Sequence, residues 1–202
     1  MNRARVLVAL ALAAGCSAQP QIANRDATGT AIICFGDSLT RGEGASEGHD
    51  YPSLLAQQLG QPVVNAGVNG DTTADGLARL ERDVLALHPR LVIVAFGGND
   101  FLRGVRWDDL FGHLDEMVRR IQERGAMVVL IGVQPGMFGD AARERYAQIA
   151  QARRAAFVPN MLEGILNDPQ LKSDTIHPND AGYQRIAERM YAVVQPLVTS
   201  TP

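Results

Sequence analysis

Three side chains have the types that acyl transfer needs: Ser38 near the start of the domain, and Asp174 and His177 near its end. A serine hydroxyl is a weak nucleophile until an imidazole takes its proton, and the imidazole needs a carboxylate to hold its tautomer. Asp174 and His177 are three residues apart in "SDTIHPN", so one loop carries both, and the placing of that loop decides whether the pair reaches Ser38. The tetrahedral intermediate also needs hydrogen-bond donors. The candidates are the backbone N–H groups of Ser38 and Gly70 and the side-chain amide of Asn99, with Gly70 suited because glycine lets backbone approach a ligand closely. Taken singly, these residues have plainer uses. Gly36-Asp37-Ser38 is ordinary turn chemistry after a strand, and His177 is a satisfied loop histidine.

The elements that must position these groups are legible as alternating patterns. Apolar runs at 31–35, 63–68, 91–96, 127–133 and 156–158 predict strands, four of them unbroken as in sheets buried on both faces. Helical patterns fall at 51–59, 73–87, 108–124, 140–154 and 181–194. In the second, Leu77, Leu80, Val84 and Leu87 share a face opposite Arg79, Glu81, Arg82 and Asp83; Asp71 or Thr72 caps it and His88-Pro89 stops it. Strands alternating with helices predict an α/β fold, a three-layer α/β/α sandwich on a five-stranded parallel sheet. In such sheets functional groups gather at the carboxyl ends of the strands. Gly36-Asp37-Ser38, Asn69-Gly70-Asp71 and Gly97-Gly98-Asn99-Asp100 all fall at such ends.

The first residues read separately. Arg3 and Arg5 precede the apolar segment 6–14, which meets Gly15-Cys16-Ser17, a signal peptide too short to span a bilayer as a mature helix. The ending "LAAGC" resembles a lipobox, with Ala13 where Leu is commonest, so residues 1–15 are expected as a lipoprotein signal peptide and Cys16 as the acylated N-terminus. The alternative is an ordinary signal cut after Ala18. Residues 16–29 lack periodicity and are expected as a tether, with the domain at 30–199. Cys34 has no second thiol to pair with in the exported chain and reads as a small core residue.

With 19 Lys+Arg against 22 Asp+Glu and a formal charge of −3, the chain offers no basic stripe for a phosphate backbone, and nucleic acid is excluded as a partner. At 202 residues it holds one domain, expected to act as a monomer. His49, His88 and His113 have no partner motif and no metal-ligand spacing, so neither metal nor cofactor is expected. Asp37, Asp71 and Asp100 read as caps or loop-orienting acceptors.

Four blocks together carry a family resemblance: "GDSLT" at 36–40, "NAGVNGDTT" at 65–73, "GGND" at 97–100 and "DTIHPN" at 174–179. In order and spacing they resemble the SGNH (GDSL) hydrolases, and "NAGVNGDTTADGLARL" with "GGNDFLRG" resembles the branch of thioesterases, lysophospholipases and arylesterases. The resemblance implies a flavodoxin-like fold and a serine ester hydrolase working through Ser38, His177 and Asp174, with Ser38, Gly70 and Asn99 as oxyanion hole. It also implies that the loops 101–105 and 134–139 flank the acyl site, where Phe101, Leu102, Val105, Met137 and Phe138 would form an apolar wall. Arg103 would meet a phosphate or carboxylate, or stand in solvent.

The expected substrate is a small ester or lysolipid, and the expected place the bacterial cell envelope. There the chain would be lipid-anchored, on the periplasmic face in a Gram-negative cell, or else soluble and periplasmic or secreted. Two other functions stay open. One is a carbohydrate or peptidoglycan O-acetylesterase, for which Trp107 as sole tryptophan supplies no stacking platform. The other is an inactive lipid-anchored binding protein, against which stands the presence of every catalytic residue type.

Overall fold

The computed structural model describes residues 21–133 and 139–199. Five strands, β1 (Ala31–Gly36), β2 (Val63–Gly67), β3 (Pro89–Ala95), β4 (Met127–Ile131) and β5 (Ala156–Val158), form one parallel sheet in the order β2-β1-β3-β4-β5. The helices are α1 (Ser38–Arg41), α2 (Tyr51–Leu59), α3 (Thr73–Asp83), α4 (Gly98–Leu102), α5 (Trp107–Glu123), α6 (Gly139–Ala152) and α7 (Asp180–Thr199).

Strand alternation sorts the core into two layers. Ile32, Cys34, Leu91, Ile93, Met127 and Val129 face Leu54 and Leu55 of α2 and Tyr183, Ile186 and Met190 of α7. Ile33, Phe35, Val92, Val94, Val128 and Leu130 face Leu80 of α3, Leu110, Leu114 and Met117 of α5 and Tyr146 of α6. This is the expected three-layer α/β/α sandwich. Cys34 is wholly buried in the first layer, and burial pushes its thiol far above the ordinary range, which leaves it inert as a nucleophile.

Three details differ from the sequence patterns. The helix begun at Thr73 ends at Asp83 and continues as a 3₁₀ turn over Leu85–Leu87, and Leu87 is exposed. The last helix runs to Thr199 because Leu197 and Val198 still have core to cover. Residues 22–29, expected as tether, lie against the domain. Ala23 is buried and its N–H donates to the Arg154 carbonyl, while Asn24 Nδ2 donates to the carbonyls of Gln122 and Ala126.

In the order β2-β1-β3 the chain leaves β1 toward one edge and returns to its other side at β3. The carboxyl ends of β1 and β3, paired in register as far as Gly36 and Ala95, therefore flank the topological switch point, where open α/β sheets bind ligands.

Candidate active site

Ser38 opens α1 directly after β1. Asp37 caps that short helix, its Oδ1 accepting the Leu39 N–H at 3.0 Å, so the strand end and the cap together set the serine. His177 reaches it from the loop before α7, with Nε2 3.0 Å from Ser38 Oγ. On the other side of the ring, Nδ1 lies 2.7 Å from Asp174 Oδ2. Since a carboxylate only accepts, Nδ1 carries a proton; in the neutral ring Nε2 is then left as acceptor, and Ser38 donates its hydroxyl hydrogen to it.

The loop holding the pair is braced from within. Asp174 Oδ1 accepts the N–H groups of Ile176 and His177, both at 2.8 Å, and Ser173 N–H donates to the His177 carbonyl at 3.0 Å. The hydrogen bond from the imidazole and those two N–H groups hold the Asp174 carboxyl down at about 2, so it is ionised wherever an imidazole titrates.

Asn99 sits in α4, directly after β3. Its Nδ2 donates to the Asp71 carbonyl at 3.0 Å and to Asp37 Oδ2 at 3.3 Å. Gly97, just before α4, has φ +127° and no room for a side chain, since a Cβ there would lie 2.1 Å from Tyr146 Oη. That hydroxyl donates to the Phe96 carbonyl at 2.8 Å and pins the turn. Gly70 turns with φ +80°, and its carbonyl accepts from Arg103 Nη2 at 2.7 Å. Arg103, itself exposed, thus ties the third strand's loop to the second's.

The buried carboxylates divide the remaining work. Asp100 takes the Thr73 N–H at 2.9 Å and the Thr73 hydroxyl at 2.6 Å, anchoring the start of α3. Thr72 caps α3 in a reciprocal box with Asp75, which leaves Asp71 to pair with Arg79 at 2.6 Å. Arg79 is a correction to the helical pattern, which set it on the outer face. Its side chain is turned inward, donating to the carbonyls of Gly36 at 2.9 Å and Ala66 at 3.0 Å and stacking over Phe35. Carbonyls at the ends of β1 and β2 need donors, and a guanidinium supplies several in one plane. Asp37 is also buried, and desolvation pushes it up to about 7, with the Leu39 N–H and the His177 charge drawing it back.

An apolar pocket opens beside Ser38, lined by Leu39, Leu102, Val133, Leu162, Leu166 and Ile176 together with Asn99 and His177. Of the expected wall residues that the structure describes, Phe101, Leu102 and Val105, only Leu102 takes part. Phe101, in α4, is buried with its ring 5.9 Å from that of Trp107 in α5, and Val105, in the turn between the two helices, packs on the same core. Met137 and Phe138 lie outside the described residues, as does Cys16. The sequence did carry a signal for Ile176, an apolar residue alone in a polar loop; Leu162 and Leu166 sit in irregular chain after β5, with no periodicity to mark them.

The other histidines are apart from this cluster. His49 Nδ1 is 3.1 Å from Ser46 Oγ, His113 Nδ1 is 3.2 Å from Thr73 Oγ1, and His88 ends the 3₁₀ turn. No group of three or more metal-ligating side chains occurs among the described residues.

The chain is similar to known hydrolases over most of its length. Esterase TesA of Pseudomonas aeruginosa is 33% identical over 198 residues, covering 93% of this chain and 98% of that protein. Thioesterase 1/protease 1/lysophospholipase L1 of Escherichia coli K12 is 32% identical over 182 residues, covering 86% and 88%. A crystal structure of TesA superposes with a TM-score of 0.78 at 32% identity, covering 84% of this chain and all of that one. Residues 34–185 match the model of the GDSL-like lipase/acylhydrolase family, which spans Ser38, Gly70, Asn99, Asp174 and His177. The chain belongs to the GDSL-like lipase/acylhydrolase family.

Proposed function

We propose that the protein hydrolyses carboxylic esters through an acyl-enzyme on Ser38. Ser38 Oγ attacks the ester carbonyl while His177 Nε2 takes its proton, and the negative charge collects on the former carbonyl oxygen. The Ser38 and Gly70 N–H groups and the Asn99 amide donate to that oxygen. As the intermediate collapses, the alkoxide or thiolate leaves with the proton from His177. A water then repeats the sequence on the acyl-serine, with His177 again as base, and releases the acid. Asp174 holds the ring and balances the imidazolium without itself becoming protonated.

One observation carries this reading: the unbroken chain from Ser38 Oγ through His177 to Asp174, with links of 3.0 and 2.7 Å, at the wall of an apolar pocket. That pocket suits the acyl side of a short acyl, aryl, single-chain lipid or thio ester. A panel of nitrophenyl esters of rising chain length, with a lysophospholipid and an acetylated sugar beside it, tests it. Ser38→Ala is expected to lower kcat roughly 10⁴-fold with the fold intact. Activity in that variant within about tenfold of wild type overturns the assignment.

We further propose that the enzyme works in the cell envelope, held by lipid on Cys16. The support is the apolar segment that ends at "LAAGC". No helix among the described residues is long and apolar enough to cross a membrane. Full-length protein should incorporate labelled palmitate and Cys16→Ala should not; an unlabelled chain beginning at Gln19 would mean an ordinary signal peptide.

A further inference from the structure

We propose that Asp37 is a positioning residue for the hydrolysis, holding the Ser38 turn and the Asn99 amide in one fixed relation through the two oxygens of a single carboxylate. This rests on the reading of Ser38 as nucleophile and Asn99 as oxyanion donor.

The two groups come from different strands. Ser38 follows β1 and Asn99 follows β3, and beyond the last in-register pair, Gly36 with Ala95, no ladder hydrogen bond continues between them. Asp37 spans that interval. Oδ1 accepts the Leu39 N–H at 3.0 Å, which starts the helix carrying Ser38, and Oδ2 accepts from Asn99 Nδ2 at 3.3 Å. The residue is only 1% exposed, so water does not compete for either oxygen.

The chemistry of the partners makes this directional. An asparagine amide can turn over, presenting either its oxygen or its NH₂ to a neighbour. Asn99 faces two acceptors, Asp37 Oδ2 and the Asp71 carbonyl, and neither has a hydrogen to give while Asp37 is ionised. Only the NH₂ can face them, which fixes the donor end of the amide on that side. Both amide hydrogens are then engaged, and the longer bond, to Asp37, is the one that yields or is shared as charge develops on the substrate oxygen. Asp37 therefore acts through Asn99 and does not touch the reacting atoms.

Two substitutions separate this from plain helix capping. Asp37→Ser keeps an oxygen able to cap Leu39 but is too short for Asn99. Asp37→Asn keeps the length but has one acceptor oxygen for two donors. Each is made alone and with Asn99→Ala, and kcat, KM and melting temperature are measured with a nitrophenyl ester. Asn99→Ala should lower kcat by roughly 10² to 10³. Asp37→Ser should lower kcat by about tenfold with KM within about twofold of wild type, since it displaces a donor without removing it. In the Asn99→Ala background Asp37→Ser should cost no more than about twofold further, because its effect passes through the missing amide.

A full, independent loss in the double variant overturns the proposal, as does wild-type kcat in Asp37→Ser. If Asn99→Ala itself has wild-type kcat, the oxyanion assignment falls and this proposal with it, while Ser38→Ala separately reports on the nucleophile. Should Asp37→Ser fail to fold, the Asp37→Asn cycle decides on the same criteria.

Discussion

Asp174 grips His177 twice: Oδ1 accepts its backbone N–H at 2.8 Å, and Oδ2 accepts from its ring Nδ1 at 2.7 Å. A three-residue spacing thus closes on itself, and the loop carries its own orienting device. The ring's tautomer is set from within the loop, by a partner other than Ser38.

Replacing Asp174 by Asn should keep the loop, because the amide oxygen can still accept from backbone. It should disfavour the Nδ1–H tautomer and lower kcat by roughly 10⁴-fold, as in the serine protease case. Steady-state kinetics on a nitrophenyl ester check this, and an unchanged rate removes Asp174 from the mechanism.

The acyl pocket gives a chain-length prediction. Leu166→Trp should fill the space beside Leu102 and Leu162, so that kcat/KM for long acyl esters falls by at least about tenfold while the acetyl ester changes by less than about threefold. Phe101→Leu should instead act on stability, since that ring packs on Trp107 away from the pocket. A length preference unmoved by Leu166→Trp would place the acyl chain elsewhere.

Arg79 should prove structural. Its side chain is 10% exposed and serves Asp71 and two carbonyls at the sheet end, so Arg79→Ala leaves an unpaired carboxylate and two carbonyls short of a donor. A loss of about 3 kcal/mol is expected, or about 10 °C in Tm. Arg82→Ala, at a side chain 77% exposed, should change Tm by no more than a degree or so. Equal effects from the two would contradict the inward role.

Asp37 predicts how stability varies with pH. The groups around it are His177, Asp100 of α4, and the phenols of Tyr51, Tyr146 and Tyr183. Burial raises its folded value to about 7 from 3.8, so the folded state holds the proton more tightly than the unfolded chain. The stability this confers is full below 3.8 and is lost as pH rises through about 7. Asp37→Asn lacks that loss. Its Tm relative to wild type should therefore climb between about pH 4 and pH 8, whatever constant offset the lost hydrogen bond adds. Thermal melts across that range test the slope, and a constant difference would show that Asp37 is not held in a charge-opposing site.

The sequence by itself determined the sheet, the helices that cover it and the family. Those depend on periodicity and on short blocks such as "GDSLT" and "DTIHPN", in which neighbours in the chain are also neighbours in space. It also carried the residue types of the candidate site, because strand ends in a parallel sheet share one edge.

Which side chains surround the substrate was decided only by tertiary structure. Phe101 and Leu102 are adjacent in sequence, yet one is buried in the core and the other lines the pocket, since a short helix turns consecutive residues about 100° apart. Arg79 lies on the polar face of its helix by pattern, yet it turns inward to the Gly36 and Ala66 carbonyls at the sheet end, which no local rule reveals. Asp37 reads as a cap from sequence, and so it is. Its second oxygen finds Asn99 only because β1 and β3, 62 residues apart in chain at these two positions, lie side by side in the sheet.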